Sequence, residues 1–391
     1  MYKRQELYNV HGTRGSDPSE PKEDKPYPFA PLPHEDRIEE LNVDLKELGL
    51  KPFPLPIGLN QNQDAKEARY VLDRFDGFPD PTELKADAHV NAIKKIIDLP
   101  NVNLITNALV DRLETNSTGD RISKVIVKGD DKEISYEGNI VAVCCGAINS
   151  AALLLRSKNQ QHPDGLANST DLVGRNYMAH NNSALLAISV KPNPSKFGKT
   201  LGLNDYYFGD EDFSFPMGHI QMLGKSDAMM YKEDAPFFAP GLTLEYLATH
   251  SLDFWMTSED LPDPNNRVMV DDNGKIQLNY TENNLEGHKR LKKKLKWILE
   301  HVGCETHLLP NNLYLGKKIP IAGTAHQCGT IRFGNDPKTS VLNSMCQAHE
   351  IENLYVVDGS FFPSSSAVNP GLTIMAMACR VGEHLNNNVL S

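Results

Sequence analysis

The 391-residue sequence lacks an uninterrupted apolar run long enough to span a bilayer, a length of about eighteen residues. It also lacks an excess of basic charge: the net charge is -11, which argues against nucleic-acid binding as a main role, because phosphate contacts need clustered Lys and Arg. Its one basic run, His288 to Lys296 (HKRLKKKLK), falls on an amphipathic helical pattern and reads as a solvated helix face. No C-x-x-C spacing occurs among Cys144, Cys145, Cys304, Cys328, Cys346 and Cys379, and Cys144, Cys145 and Cys379 lie in apolar runs. Buried free thiols are therefore expected rather than zinc ligands or a disulfide framework. The 13 histidines include no H-x-x-x-H or H-E-x-x-H, so no histidine metal site is expected. G-x-S-x-G is absent too, and Ser360, Ser364, Ser365 and Ser366 form a loop cluster, which argues against a serine hydrolase. No secretory leader is visible, which leaves the location open with a soluble, cytoplasmic setting as the default.

What is present centres on Ile351 to Leu385. Leu354-Tyr355-Val356-Val357 reads as a buried strand that breaks at Asp358-Gly359. A loop rich in Ser and Pro follows, and then Asn369-Pro370 precedes an apolar run at helical spacing. This pattern predicts a helix starting at Asn369, with Asn369 as its N-cap and Pro370 in the first turn. Such a start holds a ligand bearing negative charge, because its first amides lack internal partners and the dipole is positive there. Upstream, His34 to Leu48 and Ala86 to Ile97 carry helical spacing, and Asn60 to Pro81 reads as a loop over a site. From Val102 the period changes to two, predicting strands in 101–114, 121–137 and 140–145 with a turn at Gly129-Asp130-Asp131. The last run ends at Gly146-Ala147, and Ser150 to Arg156 is helical again, the strand, small-residue and helix order of an α/β unit. Between Gln160 and Lys318 the texture is that of a second domain. Ser183 to Val190 and Lys275 to Tyr280 alternate like exposed antiparallel strands, and Glu286 to His301 is helical. Its aromatic residues Tyr206, Tyr207, Phe208, Phe213, Phe237, Phe238, Phe254 and Trp255 are candidates for a substrate pocket as well as for the core.

Three of these blocks together resemble the glucose-methanol-choline (GMC) oxidoreductases, flavoenzymes that oxidise alcohols, and the wording is nearest the cholesterol-oxidase-like branch. The blocks are LYVVDGS followed by VNP, the segment Thr324 to Gly334 (TAHQCGTIRFG), and Gly146 to Ser157 (GAINSAALLLRS). Phe333, Ala151 and Lys158 depart from the family wording, and the stretch from Leu172 to His180 resembles the family's Val-Gly-x-x-Leu-x-x-His crossing. The resemblance implies an α/β FAD-binding domain of Rossmann-like, GMC type, split in sequence, with an inserted α+β substrate domain on an antiparallel sheet. The implied boundaries are 1–157 for a partial FAD-binding domain, 158–320 for the substrate-binding domain, and 321–391 for the C-terminal part of the FAD-binding domain.

The resemblance also implies chemistry. His326 would take the alcohol's proton, an imidazole being suited to this near neutrality, although a structural histidine is the alternative from sequence alone. Asn369 would orient the substrate oxygen while also acting as a cap. FAD would lie against Gly146, Ala147, Asp358, Gly359, Asn369, Pro370, Gly371 and Thr373, with Val110 either at the adenine or an ordinary strand valine. The partner would be a small-molecule alcohol. Sugar, polyol, sterol and simple alcohol all stay open as donor, as do oxygen and other carriers as electron acceptor. No G-x-G-x-x-G occurs anywhere, although a flavin domain of this kind should open with one. The expectation is therefore an N-terminally truncated reading of a longer gene. The competing reading is a folded, non-catalytic remnant that does not bind FAD alone.

Overall fold

A computed structural model describes residues 2–22, 25–60, 77, 79–129, 132–232, 241–305, 315–318 and 326–391. The expected loop from Asn60 to Pro81 falls mostly outside these residues, as do Asp130, Asp131, Phe237 and Phe238. Contacts divide the chain into two compact units. The first comprises Met1–Asp98, Asn181–Glu259 and Asn284–Gly323, and the second Leu99–His180, Asp260–Asn283 and Thr324–Ser391. This division differs from the three consecutive segments expected from sequence. Strand pairing is one reason: Phe53–Pro54 joins Leu201–Leu203, which carries early chain into the first unit.

The first unit is built on a seven-stranded sheet. Asn181–Ser189 is central to it, flanked antiparallel by Ser251–Ser258 on one side and by Cys304–Glu305 and Leu315–Lys318 on the other. His219–Met222 and Leu201–Leu203 extend the sheet beyond Ser251–Ser258. Successive strand side chains point to opposite faces, so one face presents Leu185, Ala187, Phe254, Met256, Ile220 and Met222 to a single core. Two helices complete that core, each with an apolar stripe at helical spacing. Asp36–Glu47 brings Ile38, Leu41 and Leu45, and Leu285–His301 brings Leu291, Leu295, Ile298 and Leu299. Each fully buried leucine contributes about 1.5–3 kcal/mol.

The strand read as exposed from the alternation of Ser183 to Val190 forms over Asn181–Ser189 and is buried on both faces. Leu185 and Ala187 belong to the main core, whereas Leu186 and Ile188 pack on the opposite side with Tyr231, Leu244 and Leu247. Its polar residues are satisfied internally, as where Trp255 Nε1 donates to Asn182 Oδ1 at 3.1 Å. The expected helix at Ala86 to Ile97 is shorter and irregular, a π turn at His89–Ile93 followed by one turn at Lys94–Ile96. The aromatic candidates also separate: Phe254 is core, Phe208 is exposed, and the Phe213 and Tyr206 rings carry Arg290 and Lys294 above them.

His288, on the buried side of the basic helix, sits between two hydroxyls. Ser258 Oγ donates to the Met217 carbonyl at 2.5 Å, so it accepts from His288 Nδ1 at 2.8 Å, and Ser183 Oγ donates to Nε2 at 2.8 Å. The ring is thus held neutral, and burial, with Lys292 nearby, pushes its pKa down to about 4. The unfolded value is near 6.5, so the unfolded chain binds this proton more tightly. The contribution is complete above about pH 6.5 and is lost as pH falls towards 4, by roughly 3 kcal/mol in all. Urea unfolding across that range should show a shallower acid dependence for His288→Gln than for the unaltered protein. Equal slopes would contradict this account.

The second unit holds a three-stranded antiparallel sheet of Leu109–Thr115, Ile122–Lys128 and Glu133–Tyr136, and a ribbon of Arg267–Val270 with Ile276–Asn279. The strand predicted over 101–114 forms only from Leu109 onward and runs to Thr115. Leu354–Val356 pairs in parallel with Val141–Val143. Asn353 couples these sheets by reproducing a backbone pair, its Oδ1 accepting from Ile122 N at 2.7 Å and its Nδ2 donating to Ile122 O at 2.9 Å. The helix Gly146–Arg156 starts earlier than expected and buries Ala147, Ser150 and every residue from Ala151 to Leu155. Among the described residues no helix is long and apolar enough to cross a membrane. The thiols form no disulfide among the described residues and are not uniformly buried: Cys304, Cys328 and Cys346 are, whereas Cys144 and Cys145 are exposed.

Candidate functional site

In the second unit the chain leaves the parallel pair at Asp358, whose buried carboxylate ties together distant segments. It accepts from Gly146 N at 2.9 Å, from the Ser150 hydroxyl at 2.5 Å, and from both the amide (2.8 Å) and the hydroxyl of Ser360. Gly146 can turn here because its φ is +81°, which side chains rarely adopt. Asp358 is therefore a clamp between the start of one helix and the turn Gly359–Phe361.

The His326 block is laid along that turn. Gly329 N donates to Gly359 O, Ile331 N to Ser360 O and Phe333 N to Phe361 O, at 3.2, 2.9 and 3.0 Å. On its other side Cys328 and Met178 exchange both backbone bonds, and Thr330 Oγ1 donates to Ala147 O at 2.6 Å. Only glycine fits at 329: φ is +90° and a Cβ would stand 2.4 Å from Asn176 O. Thr324 and Ala325, which open that block, lie outside the described residues.

His326 itself is half-buried, with Nδ1 3.0 Å from Nδ1 of His180 and the two rings edge to face at 72°. His180 is 5% exposed, and its Nε2 lies 2.9 Å from the Ser365 carbonyl. Asp260, 1% exposed, holds this arrangement: it accepts from Ala179 N (2.8 Å), His180 N (3.0 Å), Ser365 Oγ (2.9 Å) and the Tyr280 hydroxyl (3.1 Å). Burial and the Asp260 carboxylate both push the Tyr280 ionisation up, so this hydroxyl stays a donor.

The closing helix begins at Gly371, not at Asn369. Pro370 occupies the cap position, its carbonyl accepting from Thr373 N and Ile374 N at 3.0 Å, and no side chain caps the helix. Asn369 is exposed one residue earlier, Thr373 is exposed, and a Cβ at Gly371 would meet open space. Although its sequence is apolar, the helix buries only Val381. Its first turn approaches Gly359, where a Cβ would stand 3.8 Å from Ile374 Cδ1. Val110 lies on an edge strand opposite Val127, its carbonyl accepting from Arg156 Nη2 at 3.3 Å.

Of the residues singled out from sequence, the fold directly joins Gly146 to Asp358, Ala147 to the His326 block, and that block to Gly359. Val110 is connected through Arg156 at the far end of the helix that Gly146 begins. Sequence reasoning missed Asp260, Ser150 and the pairing of His326 with His180. The crossing motif that ends at His180 was the one available signal.

Two segments match the GMC oxidoreductase family, residues 55–182 its N-terminal and 272–378 its C-terminal region. The chain is 27% identical to 6'''-hydroxyparomomycin C oxidase of Streptomyces lividus, over 88% of this chain and 63% of that protein. It is 29% identical to 2-methyl-1,2-propanediol dehydrogenase of Mycolicibacterium austroafricanum, over 73% and 54%. The chain thus spans less than two thirds of the length of either relative. The solved structure of pyridoxine 4-oxidase from Mesorbium loti shares the fold with a TM-score of 0.63 at 17% identity, over 92% of this chain and 72% of that one. Fold and sequence together define an oxidoreductase class. The chain belongs to the GMC oxidoreductases, FAD-dependent flavoproteins.

Proposed function

We propose that this chain carries the site of an FAD-dependent oxidoreductase acting on the CH–OH group of a small hydroxylated molecule. The observation that supports this most is the His326–His180 pair, built into the same compact unit as the Asp358 clamp and the open start of the closing helix. The substrates named for the relatives, an aminoglycoside and a diol, favour a polar, hydroxyl-rich alcohol over a sterol.

The helix start suits the pyrimidine edge of FAD, which gains negative charge on reduction, since no side chain caps it and Gly371 leaves space beside its backbone. Pro370, Gly371, Thr373 and Asn369 would hold that edge, Gly146, Ala147, Asp358 and Gly359 would flank the ribityl and pyrophosphate portion, and Val110 would meet the adenine. FAD when bound supplies the two-electron acceptor for the carbinol hydride. His326 takes the hydroxyl proton, and the Asn369 amide, released from capping, orients the substrate oxygen.

The test is the visible spectrum of the purified chain incubated with FAD and freed of excess, followed by anaerobic addition of sugars, diols and aminoglycosides. Flavin bands that bleach with one of these alcohols are expected. A folded chain that retains no flavin would instead favour the non-catalytic reading.

A further inference from the structure

We infer that His180 is a positioning residue that keeps the proton of His326 on Nδ1, so that Nε2 of His326 carries the lone pair used on substrate. The inference rests on the reading of His326 as the base and adds to it which nitrogen acts and what decides this.

The order of protons follows from one end of the chain of contacts. A peptide carbonyl only accepts, so His180 Nε2, 2.9 Å from Ser365 O, must carry hydrogen. A neutral imidazole carries one proton, so His180 Nδ1 is then an acceptor. The atom facing it at 3.0 Å, Nδ1 of His326, must donate. The remaining nitrogen of His326 is left unprotonated, as a base requires. His180 is neutral in this order, and burial holds its imidazole below the ordinary histidine value despite the opposing pull of the Ser365 carbonyl and Asp260. Were His180 doubly protonated, both its nitrogens would donate, His326 Nδ1 would have to accept, and the proton would move to the wrong nitrogen.

The backbone shows that this geometry is imposed. His180 has φ +64°, a left-handed conformation that is unfavourable for a non-glycine residue. The Asp260 carboxylate holds it there by accepting the amides of both Ala179 and His180. The same carboxylate accepts from the Ser365 hydroxyl, so the ring and the carbonyl that sets its tautomer share one anchor. Strain kept in place by a buried network is a mark of a functional position.

The test is a long-range proton–nitrogen correlation spectrum of the protein labelled with [15N]histidine, with His180→Gln and His326→Gln used for assignment. The expected pattern is Nε2–H for His180 and Nδ1–H for His326. Nε2–H on His326, or a doubly protonated His180 near neutral pH, would overturn the inference. In the flavin-loaded protein, His180→Phe removes the acceptor and should slow anaerobic flavin reduction about 100-fold, with little change in the half-saturating alcohol concentration. His180→Gln keeps an acceptor oxygen and should recover part of that loss; equal losses in the two variants would count against tautomer control. The expected tautomers with no reduction by any alcohol would overturn the reading of His326 as the base while leaving the placement of its proton intact.

Discussion

His326→Ala is expected to lower the rate of anaerobic flavin reduction by an alcohol about 10²–10⁴-fold, the range for loss of a general base, while flavin content stays unchanged. The backbone around His326 supports this separation of effects. The block that carries it is fixed by the bonds of Gly329, Ile331 and Phe333 to residues 359–361, and by the Thr330 hydroxyl on Ala147, none of which uses the imidazole. Removing the ring should therefore remove chemistry with little disturbance of the fold. Rapid mixing with substrate measures the rate, and the absorbance ratio of flavin to protein measures occupancy. Loss of flavin in parallel with rate would point to a structural histidine instead.

Asp358→Ala has a large expected effect of another kind, a loss of about 3–5 kcal/mol of stability measured by urea unfolding, since each buried donor left without an acceptor costs about 1–3 kcal/mol. The deletion leaves the amides of Gly146 and Ser360 and the hydroxyls of Ser150 and Ser360 without their shared acceptor, in a place where Ser150 and Ser360 are fully buried. Asp358→Asn keeps one acceptor oxygen and should lose less. A variant that unfolds like the unaltered protein but binds FAD weakly would show that the carboxylate serves the cofactor rather than the clamp.

The features of this structure legible in the sequence are those set by local periodicity. Leu285–His301 follows from its apolar spacing to within a residue, and the break after Leu354–Val356 follows from Asp358-Gly359. The cap at Asn369 did not follow, because proline can itself occupy the cap position: the Pro370 carbonyl accepts the first helical bonds, which places the Asn369 side chain one residue too early. Asn181–Ser189 alternates as an exposed strand does, yet its position between two neighbours and under helices buries both faces. His180 and His326 are 146 residues apart, and Ser150 and Asp358 are 208 apart. Side-chain partners at such separations leave no periodic trace. The family resemblance singles out His326, whereas its partner His180 and the Asp260 anchor come together only in the fold.

Whether the flavin-loaded protein takes hydride from a CH–OH carbon is decided by an alcohol deuterated at that carbon. A primary isotope effect on anaerobic flavin reduction is expected, so that the deuterated alcohol bleaches the flavin severalfold more slowly than its light counterpart. Flavin reduction at the same rate with both alcohols, under conditions where reduction itself limits the observed change, would contradict it.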